Sequence, residues 1–299
     1  MSAQQPDISL NLLGVSHELD ANVGIKLDPG SASRVGGGSI NQAYRVESNS
    51  GPVFLKINQA EKLDMFEAEV DGLAALRDAD AVTVPDVLGW GVVHGASYLA
   101  LEWLDMTSSS AASERALGAA LARQHGVTSE QFGWRRDNFI GSTPQRNRES
   151  GDWVTFYCDE RLGYQLELGM ANGLPSAMQG SMNDLLNGLE KLFGAEPIVP
   201  SLLHGDLWSG NWGATADGGA CIFDPAVYYG DREADLAMTR LFGGFGPDFY
   251  SAYEAEWPLA DGWQTRVGLY NLYHLLNHFN LFGSGYLGQI EATLDRLVR

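Results

Sequence analysis

Leu202-Leu203-His204-Gly205-Asp206-Leu207-Trp208-Ser209-Gly210-Asn211 is the stretch on which the reading of the whole chain turns. Two apolar residues lead into a His, an acid follows two positions later, and an Asn stands five beyond that, with a Gly just before it. Phosphoryl transfer uses this order: the Asp206 carboxylate can accept the proton of an attacking hydroxyl, while Asn211, on the same turn, can reach a magnesium ion that bridges nucleotide phosphates. Further on, Cys221-Ile222-Phe223-Asp224-Pro225 reads as a short buried strand ending in an acid, a second carboxylate for the same ion. A strand, a turn at Asp217-Gly218-Gly219 and a second strand bring Asn211 and Asp224 together. Oxygen ligands of this kind suit magnesium rather than zinc.

The five parts that such a site needs occur in order along the chain. Val35-Gly36-Gly37-Gly38-Ser39-Ile40 is a glycine cluster before a strand, where small residues let backbone N–H groups approach phosphate oxygens. By itself it reads better as an ordinary hairpin turn, since a glycine run is a common turn signal. Pro52-Val53-Phe54-Leu55-Lys56-Ile57 then places one of only four lysines inside an apolar strand. Lys56 is either a solvated edge-strand lysine or the cation for the nucleotide's phosphates. Apolar residues at Phe66, Val70, Leu73 and Leu76 predict a helix with one buried face. Glu69 lies beside that face and can hold Lys56, with Glu67 as the alternative. Two further strands, 84–91 and 96–105, are joined by a turn at His94-Gly95. The backbone of Glu102, Trp103 and Leu104 would face an adenine ring, and the polar run Thr107-Ser108-Ser109-Ser110 marks the domain boundary, 1–105 against 106–299.

Beyond that boundary the pattern turns helical, giving an α+β, bilobal chain: an antiparallel sheet with one main helix, then a larger, mostly helical lobe. Helices are expected over 112–125, 153–170, 181–193 and 269–282, with a short one at 8–18 weakened by Gly14. Residues 132–147 read as a long loop of aromatic, amide and basic residues. Asn138, Gln145 and Asn147 there are candidates for contacts to a substrate's hydroxyls, with packing as the alternative. Asp235 opens a helix and can reach back to backbone N–H groups of the 202–211 loop, a supporting role shared with His204. His274 and His278 have metal-binding spacing, but no third ligand is evident, and a packing helix is preferred.

Composition narrows the partners. A net charge of −19, from 38 acidic and 19 basic side chains, argues against nucleic acid and anionic membranes and for a small or basic partner. With 44% hydrophobic residues and no run long enough to span a bilayer, the chain is expected to be cytoplasmic, a monomer or weak dimer. Cys158 and Cys221 read as reduced thiols. Ser209 near His204 hints at a serine hydrolase, but Trp208-Ser209-Gly210 lacks the G-x-S-x-G elbow. A non-catalytic ATP-binding regulator on the same fold is the more serious rival.

These residues resemble the fructosamine kinase (ketosamine-3-kinase) family, relatives of aminoglycoside phosphotransferases and choline kinases in the protein-kinase-like fold. The resemblance is carried by Gly36 to Asn41, Phe54 to Asn58, Met65 to Glu69, Pro144 to Asn147 and Leu276 to Asn280. Most specifically, it is carried by Asp206-Leu207-Trp208-Ser209-Gly210-Asn211. It implies ATP- and magnesium-dependent phosphorylation of O3 on a ketoamine, free or protein-bound, in the repair of glycated amines. A small-molecule kinase for an aminoglycoside, choline or another amino-alcohol is the alternative. Trp208, beside the base, would offer an apolar face to a sugar ring. Many relatives carry Cys where Ser39 stands, so thiol-based redox control does not transfer to this chain.

Overall fold

The computed structural model describes residues 8–36, 40–194, 196–243 and 245–298. Helix α1 (Ile8–Val23) precedes strands β1 (Ser33–Val35), β2 (Gln42–Val46) and β3 (Val53–Gln59), helix α2 (Leu63–Asp78), and strands β4 (Val87–Val93) and β5 (Ala96–Glu102). The strands form one antiparallel sheet in the order β1-β2-β3-β5-β4. His94 (φ 48°) and Gly95 (φ 79°) make the tight β4–β5 turn, both left-handed as such a turn demands. Helix α1 is longer than expected. Gly14 does not break it, because the helix packs so close to β4 that a Cβ there would lie 3.0 Å from the Cβ of Val93.

The period of two along β3 decides what faces what. Val53, Leu55 and Ile57 point into a core shared with Leu12, Val15 and Leu19 of α1. Lys56, one residue out of phase, therefore projects from the opposite face of the sheet, toward α2. The predicted face of α2 is buried at Phe66, Leu73 and Leu76, with Val70 partly buried, and it belongs to the larger core of the following helical part. Polar ties hold α2 there as well: the Trp134 indole N–H donates to Asp71 at 2.7 Å, Arg135 pairs with Asp71, and Arg136 pairs with Asp64.

After Glu102 the chain leaves the sheet. Strand β6 (Met106–Thr107) pairs instead with β10 (Trp212–Thr215). Ser110 then caps helix α3 (Ala111–His125) through reciprocal bonds with Ser113, at 3.2 and 2.9 Å, a capping box built from two serines. The expected long loop contains a hairpin, β7 (Asn138–Ile140) and β8 (Thr143–Gln145), which turns at Gly141 with φ 63°.

The helix expected over 153–170 is continuous but not uniform: α4 (Trp153–Phe156) widens into a π-helical stretch, Tyr157–Gly163, before α5 (Tyr164–Ala171). That stretch carries Arg161, fully buried, with its guanidinium 4.0 Å from the Tyr228 ring and 4.7 Å from Phe156. Helix α6 (Ser176–Gly188) starts earlier than expected and ends in a 3₁₀ turn at 189–192.

The remainder comprises β9 (Ser201–Leu203), β10, β11 (Ala220–Ile222), β12 (Tyr228–Gly230), α7 (Glu233–Met238), α8 (Pro247–Glu256), α9 (Trp263–Phe282) and α10 (Leu287–Leu297). Strands β9 and β12 pair, and β11, β10 and β6 form a small sheet. Both cysteines are free thiols. Among the described residues no helix is long and apolar enough to cross a membrane.

Helices α3 and α8 touch at Gly118, where a Cβ would sit 2.2 Å from the Phe249 carbonyl oxygen. Gly118→Ala would gain about 1 kcal/mol of helix propensity in isolation. Here the backbone must move apart, and we expect a net loss of about 2 kcal/mol in chemical denaturation. A stabilised variant would show that the two helices yield freely at this point.

Candidate active site

Strand β9 is buried at all three residues and delivers the 204–211 loop to the floor of a cleft. The loop is fixed mainly through its own backbone. Asp235, buried at the start of α7, accepts the His204 N–H at 2.7 Å on one carboxylate oxygen and the Gly205 N–H at 2.8 Å on the other. Burial works against the Asp235 charge, but the His125 bond and these backbone donors outweigh it and hold its pKa below the usual carboxylate range. The expected supporting contact is thus present. His125 was not anticipated: its Nε2–H donates to Asp235 at 3.2 Å, and Nδ1 accepts from the Tyr253 hydroxyl at 2.8 Å. Burial keeps this imidazole neutral, with its pKa lowered.

His204 stitches the loop to the Asp224 segment. Its Nδ1 accepts the Asp206 N–H at 3.2 Å, so Nε2 carries the proton and donates to the Phe223 carbonyl at 3.0 Å. Burial depresses its pKa too. The Ala226 N–H returns to the His204 carbonyl at 2.8 Å, and the Phe223 N–H to that of Asn211 at 3.1 Å. Where the segments cross, Gly205 (φ 85°) leaves no room for a side chain, since a Cβ would stand 2.0 Å from the Ala226 oxygen. Asp224 itself has φ 57°, a left-handed conformation that Asp tolerates.

Strands β10 and β11, with the turn at Gly218 (φ 84°), bring Asn211 and Asp224 to the same cleft. Lys56 lies between two acids, 2.7 Å from Glu69 and in contact with Asp224. No ion pair joins Lys56 to Glu67. Burial alone would weaken the ammonium, but Asp224 and Glu69 overcome it and raise the Lys56 pKa. Burial, with the charges of Asp224 and Asp235 adding to it, pushes Asp206 up to about 7. The Asn211 amide donates to the Asp206 carbonyl at 2.9 Å and to its carboxylate at 3.3 Å. Trp208 turns across Gly210, where a Cβ would lie 2.3 Å from the indole, and it borders the cleft.

The cleft measures about 660 Å³. It is lined by Gly36, Ala43, Leu101 and the 102–104 segment, by Lys56, Asp206, Asn211 and Asp224, and by the aromatic residues Phe242, His278, Phe282 and Tyr286. Gly37, Gly38 and Ser39 lie outside the described residues. The exit of the glycine segment is pinned by Asn58 of β3, whose amide donates to Asn41 at 2.6 Å and to the Ile40 carbonyl at 3.3 Å.

The three amides assigned to substrate hydroxyls need correction. Asn138, Gln145 and Asn147 are 4%, 1% and 1% exposed, and only Asn138 borders the cleft. Asn138 donates to the Val227 carbonyl at 2.7 Å, and Gln145 to Ala226 at 3.1 Å and to Asn138 at 2.8 Å. Asn147 donates to Asn138 at 2.9 Å and accepts from Arg161 at 2.7 Å. Buried amides must find partners: Asn138 and Gln145 find the carbonyls of the segment that follows Asp224, and Asn147 finds the Arg136 carbonyl and Asn138. They brace the site from behind. The His274–His278 pair is also internal, the His278 Nδ1–H donating to the His274 carbonyl at 2.7 Å. Among the described residues no cluster of three His, Cys, Asp or Glu could hold a metal.

Two tests follow from this geometry. Asp235→Asn turns one acceptor into a donor facing a backbone N–H; stability should fall by about 1–3 kcal/mol and kcat by about tenfold or more. Unchanged kcat would separate the loop from its carboxylate. Burial, aided by His278, pushes His274 down to about 3 from the ordinary 6.5. The unfolded chain therefore binds a proton that the native state refuses, so this residue lowers stability as pH falls below 6.5, by at most about 1.4 kcal/mol per pH unit. In urea titrations, the stability of His274→Gln relative to the parent should stay constant above pH 7 and improve steadily toward pH 5. A pH-independent difference would refute the assignment.

The chain is similar to known proteins in sequence and in fold. The chain is 44% identical over 269 residues to a "Probable ketoamine kinase" of Synechocystis sp., covering 89% of each. It is 42% identical to the chloroplastic protein-ribulosamine 3-kinase of Arabidopsis thaliana over 268 residues, covering 89% of this chain and 82% of that one. A solved structure from Thermobifida fusca, assigned as a candidate fructosamine-3-kinase, superposes with a TM-score of 0.86 at 32% identity, covering 95% of this chain and 98% of the other. An aminoglycoside phosphotransferase at 16% identity superposes with a TM-score of 0.65 and shares the fold. The fructosamine kinase family model matches residues 13–299, and the chain belongs to that family.

Proposed function

We propose that the chain is an ATP-dependent kinase that phosphorylates O3 of ketoamines, the adducts formed when a sugar glycates an amine. The observation that carries this reading is the placement of Asp206 beside Trp208 in a cleft that also holds the Lys56–Glu69 pair. The family relationship supports it, as do relatives named for ketoamine and ribulosamine phosphorylation. In this reading the base lies against Leu101 and the 102–104 backbone, and the glycine segment covers the phosphates. Lys56, held by Glu69, offers its charge to them. Asp206, lifted toward neutrality by its buried setting, accepts the O3 proton while Trp208 seats the sugar ring. The chain divides at 105/106, the first lobe holding nucleotide and the second holding acceptor.

A magnesium ion fits Asn211 and Asp224. Among the described residues Asn211 Oδ1 accepts no hydrogen bond, and Asp224 brings a carboxylate whose Oδ1 engages Lys56 to the same cleft, both oxygen donors of the kind magnesium takes. When bound, the ion would neutralise charge on the transferring phosphoryl group. Phosphate at O3 is a good leaving group once a proton is lost from C1, and water then hydrolyses the resulting C1 imine to free the amine, which gives the reaction its place in deglycation.

ATP consumption with a panel of glycated lysines tests the reading. Turnover on a ketoamine is expected, together with loss of about 10³-fold or more in kcat for Asp206→Ala at little cost in nucleotide binding. Turnover only on an aminoglycoside or choline would overturn the substrate class, and nucleotide binding without turnover would favour a regulator.

A further inference from the structure

One part of the cleft lining has a character that the phosphoryl-transfer machinery does not explain. Phe282 is the last residue of α9, where Gly283 (φ 86°) ends the helix, and it is 55% exposed. Its ring lies 5.6 Å from that of His278 and 6.4 Å from that of Tyr286, which follows in a single 3₁₀ turn. Tyr286 is 5.1 Å from His278, and Phe242, from the segment after α7, is 4.7 Å from it. Four rings from two stretches of chain, 242 and 278–286, thus form one wall. His278 is its hub, fixed by the bond to the His274 carbonyl and kept neutral by burial.

The wall carries no charge. The acids that line the cleft, Glu69, Glu102, Asp206 and Asp224, all stand at the hinge or around the transferring group. A polycationic acceptor needs carboxylates along its binding surface, and a second sugar ring needs hydrogen-bonding side chains; this wall offers mainly aromatic faces. Phe282, a half-exposed phenylalanine lining the cleft, also leaves apolar surface in water beyond what its contacts with His278 and Tyr286 cover. Both observations suit a hydrocarbon ligand in the cleft that also holds Asp206 and Trp208.

We propose that Phe242, Phe282 and Tyr286 form a seat for the alkyl stem of the amine that carries the sugar, so that the enzyme selects ketoamines by carrier as well as by sugar. This rests on the ketoamine reading above. In a ketoamine the amine nitrogen is bonded to C1, two carbons from the C3 that bears the reacting hydroxyl. With O3 at Asp206 and the ring on Trp208, the carrier must leave along the remaining wall of the cleft. The stem of a lysine side chain matches an uncharged aromatic surface. The chain's net charge of −19 favours approach of the amine-bearing carrier, while the seat itself discriminates by apolar contact.

The test holds the sugar constant and varies the carrier. Adducts of one ketose with methylamine, n-hexylamine and Nα-acetyl-lysine are compared by kcat/KM in the parent, Phe282→Ala, Tyr286→Ala and Phe282→Tyr. The parent should prefer the hexylamine and lysine adducts over the methylamine adduct by about tenfold, chiefly through KM. Each alanine variant should shrink that ratio to within about twofold, while Phe282→Tyr retains it. Because Phe282 is exposed, its truncation leaves the core intact, and circular dichroism with thermal melting checks this. A parent with no carrier preference, or a preference that survives in both alanine variants, overturns the seat while leaving the kinase reading standing. No turnover of any adduct, including that of methylamine, overturns the ketoamine reading and the seat with it.

Discussion

One buried carboxylate organises the catalytic half of this molecule. Asp235 receives two successive backbone N–H groups on its two oxygens and a neutral imidazole from the opposite side. Backbone donors in a low-dielectric interior must be satisfied, and a loop that turns as sharply as 204–206 cannot satisfy them internally. The charge of Asp235 is therefore held in place by the loop it fixes. The chain continues outward from Tyr253 to Arg232, which donates to the same hydroxyl at 3.2 Å. The position of Asp206 thus depends on α3, α7 and α8 together.

A second support lies behind the Asp224 segment. The amides of Gln145 and Asn138 satisfy the carbonyls at 226 and 227, Asn147 ties Asn138 to the Arg136 carbonyl, and Tyr273 closes the set by donating to Gln145 at 2.7 Å. Arg161 joins this network as a fully buried cation over three aromatic rings. Such a network defines one geometry when complete and fails as a unit when broken. It explains how Asp224 keeps a backbone conformation that few residues adopt.

Much of this was legible in the chain itself, for identifiable reasons. Lys56 was legible because strand alternation sets its face, and Glu69 because helical spacing puts it one step from a buried stripe. His204, Asp206, Asn211 and Asp224 fall within 21 residues, where one turn and two strands leave few geometries. Gln145 and Asn147 misled because an amide facing a sugar and an amide facing an orphan carbonyl look identical until the tertiary fold is known. His125 was silent for the same reason: it ends an Ala-rich helix, and its partner lies 110 positions away. The aromatic wall joins His278, Phe282 and Tyr286, at four-residue spacing, to Phe242, 36 positions earlier than His278. Its composition is ordinary in each stretch and distinctive only when assembled.

The attachment of α2 has a consequence for control. In a two-lobed phosphotransferase the helix that bears the acid opposite the strand lysine can serve as a throttle, swinging away to separate the pair. Here that helix buries Phe66, Leu73 and Leu76 in one core that runs from Leu99 and Leu101 of the sheet into the helical part, and it is tied to the segment before β7 through Asp64 and Asp71. Withdrawing Glu69 would mean tearing an apolar face from that core and leaving the Trp134 indole without its acceptor. The Lys56–Glu69 pair is accordingly held together by the packing of the folded chain.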